Sequence, residues 1–286
     1  MNENGYAQAA PQPEKKHSGV SSAAIICLIL GAIIFFTGLI LYYNTDTDKY
    51  LKLKDYNETF NASDVTKLDI DIHFAKLSIT QSSDDNIHVK ATDVPEDFTA
   101  DVKGSTFSTT FGDRHGFRKN LYTFLDRSYS FDDTVVEIQL PEKQYQSFYL
   151  DMGAGDTTLT DIDCDEFELN CGAGKLGCSN VNCTSGNINC GAGEVIINNI
   201  KCKNTLTVDG GTGKINIDGT LGGIDLDQGV GEFVFTGTIN GDIDADGGVG
   251  EMRFDLTNPS SDFGKNGKYS IDIDTGIGSS SVNYDQ

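Results

Sequence analysis

The chain has 286 residues, and its 43 acidic side chains outnumber its 21 lysines and arginines, which gives a formal net charge of −22. The first 19 residues contribute none of this excess, because Lys15 and Lys16 balance Glu3 and Glu14. So acidic a surface excludes nucleic acids as partners, since the phosphate backbone requires a basic surface.

The first predicted element is a transmembrane α-helix at residues 20–43. No formally charged residue occurs between positions 18 and 45, and the apolar centre of this segment is long enough to cross the hydrocarbon core of a bilayer. A buried helix of a soluble protein would show a polar stripe, which this segment lacks. Lys15 and Lys16 precede the segment and Asp46 follows it, so the positive-inside rule places the N-terminus in the cytoplasm.

Two polar segments flank this helix. Residues 1–19 are too short to bury a core and are predicted to be a disordered cytoplasmic tail. Residues 44–64 are predicted to be a polar spacer that lifts the rest of the chain off the membrane. No small-x-small cleavage site follows the apolar segment, which favours a retained anchor over a cleaved signal peptide. We therefore predict a single-pass protein of the cell membrane with an extracytoplasmic C-terminal domain.

Residues 65–149 are predicted to form atypical first coils or a cap. The stretch 68–79 follows the pattern of the repeats described below, with His73 and Ala75 in place of glycines. Residues 104–131 add an insertion that is rich in aromatic and basic side chains. Its basic centre is a candidate ligand-contact loop, and a simple cap over the open end of the fold is the alternative. The candidate contact residues are Arg114, His115, Phe117, Arg118 and Lys119.

Residues 150–286 contain seven copies of one motif, an apolar residue, an acid or amide, any residue, glycine, a small or apolar residue, and glycine. Apolar and polar side chains alternate before and after each copy, as in half-buried strands, and no crossover helix fits between copies. The fold class predicted from this pattern is all-β, a parallel β-solenoid of single-stranded coils about 19 residues long, preceded by the transmembrane helix. Glycine suits the corner of each coil because it tolerates positive φ and leaves room for the coil above. The first glycines of the copies are Gly153, Gly172, Gly191, Gly211, Gly229, Gly248 and Gly276.

The acid or amide before each corner is predicted to form a ladder with one residue per coil. Asp209, Asp227, Asp246 and Asp274 belong to this ladder, and stacked carboxylates require a hydrogen-bonding partner or a cation. Hydrogen bonds to the corner are favoured, and a weak Ca²⁺ stripe is the alternative. No other cofactor or metal site is predicted, because the one EF-hand-like start, at Asp242, has Arg253 where the loop requires glutamate.

Cysteines recur at the same period as the corners. Cys164, Cys183 and Cys202 are 19 residues apart, as are Cys171 and Cys190. The spacing predicts equivalent, inward-facing positions, so small apolar fillers of the core are favoured. Disulfides between stacked coils are the alternative that the sequence leaves open.

The repeats and the strand before them resemble a bacterial β-strand-repeat family, a domain of unknown function that is described as a candidate adhesin of membrane-anchored envelope proteins. The resemblance covers about residues 65–283 and depends on Gly153–Asp156, Gly229–Glu232, Gly248–Glu251 and the Ile-Gln-Leu-Pro strand Ile138–Pro141. It implies no catalytic residues.

These observations predict a function without catalysis. Only His73, His88 and His115 follow the predicted membrane segment, and the sequence has no nucleophile elbow or zinc motif. We predict a non-enzymatic surface protein of the cell envelope, an adhesin or an extracytoplasmic scaffold or binding domain. Its expected partners are the membrane, through its own helix, and a cell-wall or host glycan or an envelope membrane protein. The alternatives are an accessory protein of an envelope-stress signalling system and, more distantly, a β-helix enzyme that acts on polysaccharides.

Overall fold

The computed structural model describes residues 52–111 and 134–285, and this part of the chain is almost entirely β-structure. Its single helical element is a 3-10 turn, Ser260–Asp262. The prediction of an all-β fold is confirmed. The strands are β1 Leu53–Asn61, β2 Lys67–Phe74, β3 Lys76–Gln81, β4 Asn86–Pro95, β5 Thr99–Lys103, β6 Thr106–Thr110, β7 Val135–Leu140, β8 Gln144–Ile239, β9 Ile243–Leu256 and β10 Ile271–Tyr284.

No helix within residues 52–111 and 134–285 combines the length and the apolar composition needed to cross a membrane. The predicted transmembrane helix at residues 20–43 and the predicted tail at residues 1–19 lie outside the described residues. Both stay predictions.

Strands β8, β9 and β10 stack in parallel, in the register of the repeat. Asp227 of β8 lies beside Asp246 of β9, and Asp246 lies beside Asp274 of β10. Within β8, the side-chain amide of Asn189 donates a hydrogen bond of 2.6 Å to Asn170, 19 residues earlier. Each repeat is therefore one coil of strand, corner and strand, and equivalent residues of successive coils lie above one another as predicted.

The Gly-x-Gly corners hold the coils in close contact. Gly174 has φ +124°, and a Cβ atom at this position would overlap the carbonyl oxygen of Gly155 in the coil below. At Gly191, which has an ordinary φ, an added Cβ would lie 2.6 Å from the carbonyl oxygen of Gly172. The predicted role of the glycines is confirmed, because each needs positive φ, the missing side chain, or both.

A second corner follows the strand after each of the first five Gly-x-Gly corners. Asp161, Asn180 and Asn199 occupy the left-handed region, with φ of 60°, 57° and 59°. Their side chains form a ladder in which Asn199 donates to Asn180 at 2.8 Å and Asn180 donates to Asp161 at 2.9 Å. Asparagine and aspartate tolerate this conformation better than other residues with a side chain.

The interior is filled by the alternate residues of every strand. Phe148 and Phe167 stack with their ring centroids 5.6 Å apart, and Phe233 packs against Phe254 at 5.5 Å. All four rings are almost fully buried. Hydrophobic burial along the whole stack, rather than one central core, therefore stabilises the fold.

The N-terminal end departs from the parallel winding. Strand β2 pairs in parallel with β8, but β1 pairs antiparallel with β4, and β4 pairs antiparallel with β7. Strand β1 lies within the predicted spacer, residues 44–64, so this part of the spacer belongs to the folded domain. Tyr56 and Phe60 of β1 explain the difference, because their rings pack against Phe98 and Phe107, with centroids 5.1 and 5.6 Å apart.

Candidate functional site

The predicted aspartate ladder lies on the outer face of the strand segments that precede the glycine corners. Asp227, Asp246 and Asp274 are register partners in β8, β9 and β10, and all three are exposed. Gly211 lies below Gly229, which places the exposed Asp209 below Asp227. A second row runs beside the first, two residues earlier in each strand. Together the last three coils present Asp225, Asp227, Asp244, Asp246, Asp272 and Asp274, which we call the aspartate face.

The ladder changes its chemistry along the stack. In the middle coils, Asn170 and Asn189 satisfy one another through their amide groups. Carboxylates have no donor, so neighbouring aspartates of the last coils cannot do the same. Among the residues that the structure describes, no group of three or more His, Cys, Asp or Glu side chains is arranged to hold a metal ion. The Ca²⁺ stripe stays a prediction.

The predicted ligand-contact loop, Arg114, His115, Phe117, Arg118 and Lys119, lies outside the described residues. Two aromatic residues at the start of this insertion are described, and both are core residues. Phe107 and Phe111 are almost fully buried, and the ring of Phe111 packs against Phe74 with centroids 4.8 Å apart. This beginning of the insertion therefore contributes packing to the N-terminal end.

The outer face of the strand segments after the corners carries both signs of charge. Its first row alternates between acids and lysines from Asp156 to Glu232, and neighbours in this part of the row form ion pairs. The Nζ atom of Lys175 lies 3.7 Å from a carboxylate oxygen of Glu194, and that of Lys214 lies 3.1 Å from Glu232. Charges on this face compensate one another, unlike those of the aspartate face.

A polar groove of about 260 Å³ runs across this mixed face. Val234 forms its floor: this side chain faces outward from the sheet but is only 9% exposed. Lys214, Glu232 and Arg253 line the rim, from three successive coils. Seven of the ten residues that line the groove are polar, so the groove suits a polar ligand better than an apolar one.

One polar atom in this groove has no partner. The Oδ1 atom of Asn216 is buried and accepts no hydrogen bond. A buried acceptor without a donor costs free energy, and rotation of this amide toward the groove would let a ligand hydroxyl or amide group remove the cost. The groove can therefore hold a neutral, hydroxyl-rich molecule, with Lys214 and Arg253 as additional donors.

The groove is not apparent from the sequence alone. Asn216, Val234 and Arg253 occupy the same position in three successive coils, three residues after the second corner glycine. The repeats do contain a sign of it, because this position changes from glycine and isoleucine in earlier coils to asparagine, valine and arginine in later ones. Only the stacking shows that these three side chains are neighbours.

Both described histidines make local structural contacts. The ring nitrogens of His88 lie 2.9 Å from a carboxylate oxygen of Asp84 and 3.0 Å from the hydroxyl of Thr59. His73 packs edge-on against Phe111. A hydrogen bond from the backbone of Asn86, together with the contact to His88, holds the pKa of Asp84 below its usual range.

The cysteines are buried in the stack, as their spacing predicts. All six that the structure describes are free thiols in buried positions, as the core-filler interpretation predicts. Cys178, which the sequence analysis did not assign, is buried as well. Burial raises the pKa of the Cys164 thiol to about 12 and that of Cys171 to about 11. Neutral thiols of this kind are poor nucleophiles.

These raised pKa values predict that alkaline pH destabilises the fold. The unfolded chain releases its thiol protons near pH 9, whereas the folded chain keeps those of Cys164 and Cys171. Their contribution to stability is complete below pH 9 and is lost as the pH rises through 11 and 12. The free energy of unfolding should fall by about 1.4 kcal/mol per pH unit for each such thiol in this window. Urea denaturation at pH 8.0, 9.5 and 10.5, with a reductant present, measures the slope.

A variant with Cys164→Ala and Cys171→Ala is the control for this prediction. Its stability should decline less steeply between pH 9.5 and 10.5 than that of the natural chain. Equal slopes for the two proteins would show that the thiols do not carry the effect.

Comparisons with known proteins give one family and several similar solved structures. The model of a protein family described as Toastrack DUF4097 matches residues 65–278. A search of curated proteins gave no match. Similar solved structures include a candidate adhesin from Bacteroides fragilis, with 16% identity, a TM-score of 0.43 and coverage of 81% of this chain and 97% of that chain. A candidate cell adhesion protein from Clostridium sporogenes has 15% identity, a TM-score of 0.36 and coverage of 82% and 100%. A candidate lipid-binding protein from Parabacteroides distasonis has 14% identity, a TM-score of 0.42 and coverage of 82% and 97%.

Proposed function

Because the chain belongs to the Toastrack DUF4097 family, the β-strand-repeat domain of unknown function that its sequence resembles, we propose that it is a non-enzymatic β-solenoid that binds a glycan. In this proposal the ligand is a hydroxyl-rich polymer of the cell wall or of a host surface, and it lies in the polar groove. The observation that carries the proposal is the buried, unpaired Oδ1 atom of Asn216 at the side of a groove with an apolar floor.

The groove suits a sugar ring for three reasons. Val234 offers an apolar surface to the C–H face of the ring, and Asn216 offers an acceptor to a hydroxyl group. Arg253 and Lys214 are hydrogen-bond donors at the rim. Lys214 is already paired with Glu232, so a ligand that approaches it does not desolvate an isolated charge. The coils repeat at about 4.8 Å, so a linear polymer can follow the stack across several coils.

The cellular setting is part of the proposal. We infer that the apolar segment at residues 20–43 anchors the chain in the cell membrane, with the tail in the cytoplasm and the solenoid outside. The net charge of −22 then faces the envelope, where it disfavours close contact with anionic polymers and leaves neutral glycans as the preferred ligands.

A binding assay with the full-length chain tests this function. The protein, held in a non-ionic detergent, is titrated with neutral, amine-bearing and anionic glycans by calorimetry, with and without Ca²⁺. We expect a neutral glycan to bind, and the double variant Asn216→Ala, Arg253→Ala to weaken that binding about tenfold or more through the loss of two hydrogen-bonding groups.

The matched control is the double variant Asp244→Asn, Asp246→Asn, which changes the aspartate face and leaves the groove intact. It should bind the same glycan within twofold of the natural chain. Loss of binding in this control and not in the groove variant would move the site to the aspartate face, and a requirement for Ca²⁺ would then support the cation stripe. If no glycan binds, or if reducing ends are released, the proposal is wrong and the accessory or enzymatic function takes its place.

A further inference from the structure

Strand β10 leaves one edge of the stack open. Within the described residues, β10 pairs with β9 on one side and with no strand on the other. Its inward-facing residues Ile271, Ile273 and Val282 are only half-buried, whereas their partners in β9, Ile243, Ala245 and Phe254, are almost fully buried. The 3-10 turn before β10 covers a single end of this edge, where Phe263 packs beside Tyr284.

The two ends of the stack are built differently. At the N-terminal end, the antiparallel strand β1 forms one edge of the sheet and presents Lys54, Asp55 and Glu58. Charged side chains of both signs on an edge strand oppose association with another strand. Strand β10 has no lysine, arginine or proline, and its second half reads Ser279-Ser280-Ser281-Val282-Asn283. Its charges are therefore confined to Asp272 and Asp274 in the first half, and the second half lacks the usual protection of an edge.

The sequence of β10 is complementary to itself when it is reversed. In an antiparallel pairing of two β10 strands that is centred between Ile277 and Gly278, Ile271 lies opposite Tyr284 of the second copy, and Ile273 lies opposite Val282. Every inward-facing residue then meets an inward-facing residue. A shift by one residue would instead place inward-facing residues opposite outward-facing ones, so this register is well specified.

The outward-facing residues also match in this register. Asp274 lies opposite Ser281 of the second copy, and Asp272 lies opposite Asn283, so each carboxylate meets a donor and no carboxylate meets another. Asn283 already shows this chemistry inside one chain, because its amide donates to a carboxylate oxygen of Asp255 at 2.7 Å. Ile277, whose side chain is 74% exposed, lies opposite Gly278, which leaves room for it.

We propose that two copies of this chain associate end to end through β10, in the antiparallel register centred between Ile277 and Gly278. The pairing is isologous, because Asp274 of each copy lies opposite Ser281 of the other. It satisfies the open backbone groups of both edges and buries the half-exposed isoleucines, valine and tyrosine of both copies. The result is one continuous stack of twice the length.

Substitutions at Ser281 test this interface, because its side chain is exposed and its change need not disturb the fold. Ser281→Asp places a carboxylate opposite Asp274 of the second copy at two symmetric sites, and Ser281→Lys places a cation there. We expect the dissociation constant of the dimer to rise about fivefold or more with aspartate and to fall with lysine. Sedimentation of the full-length, 30.9 kDa chain in non-ionic detergent measures both.

Thr158→Asp is the matched control, since Thr158 occupies the same position after the corner of the first regular coil and is also exposed. This variant should dimerise like the natural chain. The proposal is wrong if the natural chain is monomeric at 100 µM. It is also wrong if the aspartate and lysine variants at position 281 have equal dissociation constants for the dimer.

Cross-linking establishes the direction of the pairing. Asp274→Cys and Ser281→Cys are introduced separately into a Cys27→Ser background, in which the described natural thiols are buried. Opposite residues of antiparallel strands have Cα atoms about 4.5 to 5.5 Å apart, within reach of a disulfide. We expect a disulfide-linked dimer when the two variants are mixed and oxidised, and little when either is oxidised alone. The reverse result would refute the antiparallel register.

Discussion

Replacement of Gly174 by alanine should lower the free energy of unfolding by about 3 kcal/mol or more, a large effect for the addition of one methyl group. Two costs add at this corner. The backbone has φ +124°, a conformation that strains any residue with a side chain, and the new Cβ would overlap the carbonyl oxygen of Gly155. A backbone oxygen cannot rotate away, so relief requires the two coils to separate. Urea denaturation followed by far-ultraviolet circular dichroism measures the change.

Gly177 provides a matched control three residues later in the same coil. Its φ is ordinary, and an added Cβ would have its nearest neighbour, the carbonyl oxygen of Thr157, at 3.9 Å. Gly177→Ala should therefore change stability by less than about 1 kcal/mol, in either direction, because the lower conformational entropy of the unfolded chain, which favours folding, is nearly offset by small unfavourable contacts. Similar losses for the two variants would show that the corners are not held by close backbone contact.

The glycine corners could be predicted from the sequence because two independent requirements select one residue. A position that needs both positive φ and an absent side chain accepts only glycine, so Gly155, Gly174 and Gly193 recur at a fixed spacing. The cysteines were predictable for a related reason: a repeated inward position keeps a similar side chain in each coil. The period of the chain, rather than any single motif, defines the stack.

The residues of the second corner were not assigned from the sequence, although the same period marks them. Asp161, Asn180 and Asn199 are 19 residues apart, as the corner glycines are. Asparagine and aspartate also occupy outward strand positions throughout these repeats, so their identity alone does not separate a left-handed turn from an exposed strand residue. In the following coils Gly219 and Gly237 carry the positive φ instead, one position later in the coil.

The N-terminal cap and the groove depend on pairings that no local pattern specifies. Strand β1 was predicted to be part of a spacer because its charged residues obscure the apolar positions Tyr56 and Phe60. The packing of these two rings against Phe98 and Phe107 shows that the strand belongs to the fold. The groove needs three side chains from three coils, and alternation within one strand shows only which face each side chain takes. Long-range register, not propensity, decides both features.

The other large effect concerns the aromatic packing inside the last coils. Phe233→Ala should lower the free energy of unfolding by about 3 to 5 kcal/mol, because the ring is fully buried and its removal leaves a cavity that rigid strands cannot close. Phe254 of the next coil loses its partner at 5.5 Å at the same time. Thermal and urea denaturation of the full-length chain measure the loss.

Thr236→Ala is the control for this variant, since Thr236 is exposed and lies three residues later in the same coil. It should change stability by less than about 0.5 kcal/mol. In a stack where each coil contacts only its neighbours, the cavity at Phe233 weakens the contact between two coils without touching the distant ones. The last coils should therefore unfold before the first ones in the phenylalanine variant, and amide hydrogen exchange should show faster opening of β9 and β10 while β2 keeps its protection. Uniformly faster exchange along the whole chain would instead mean that the coils fold as a single cooperative unit.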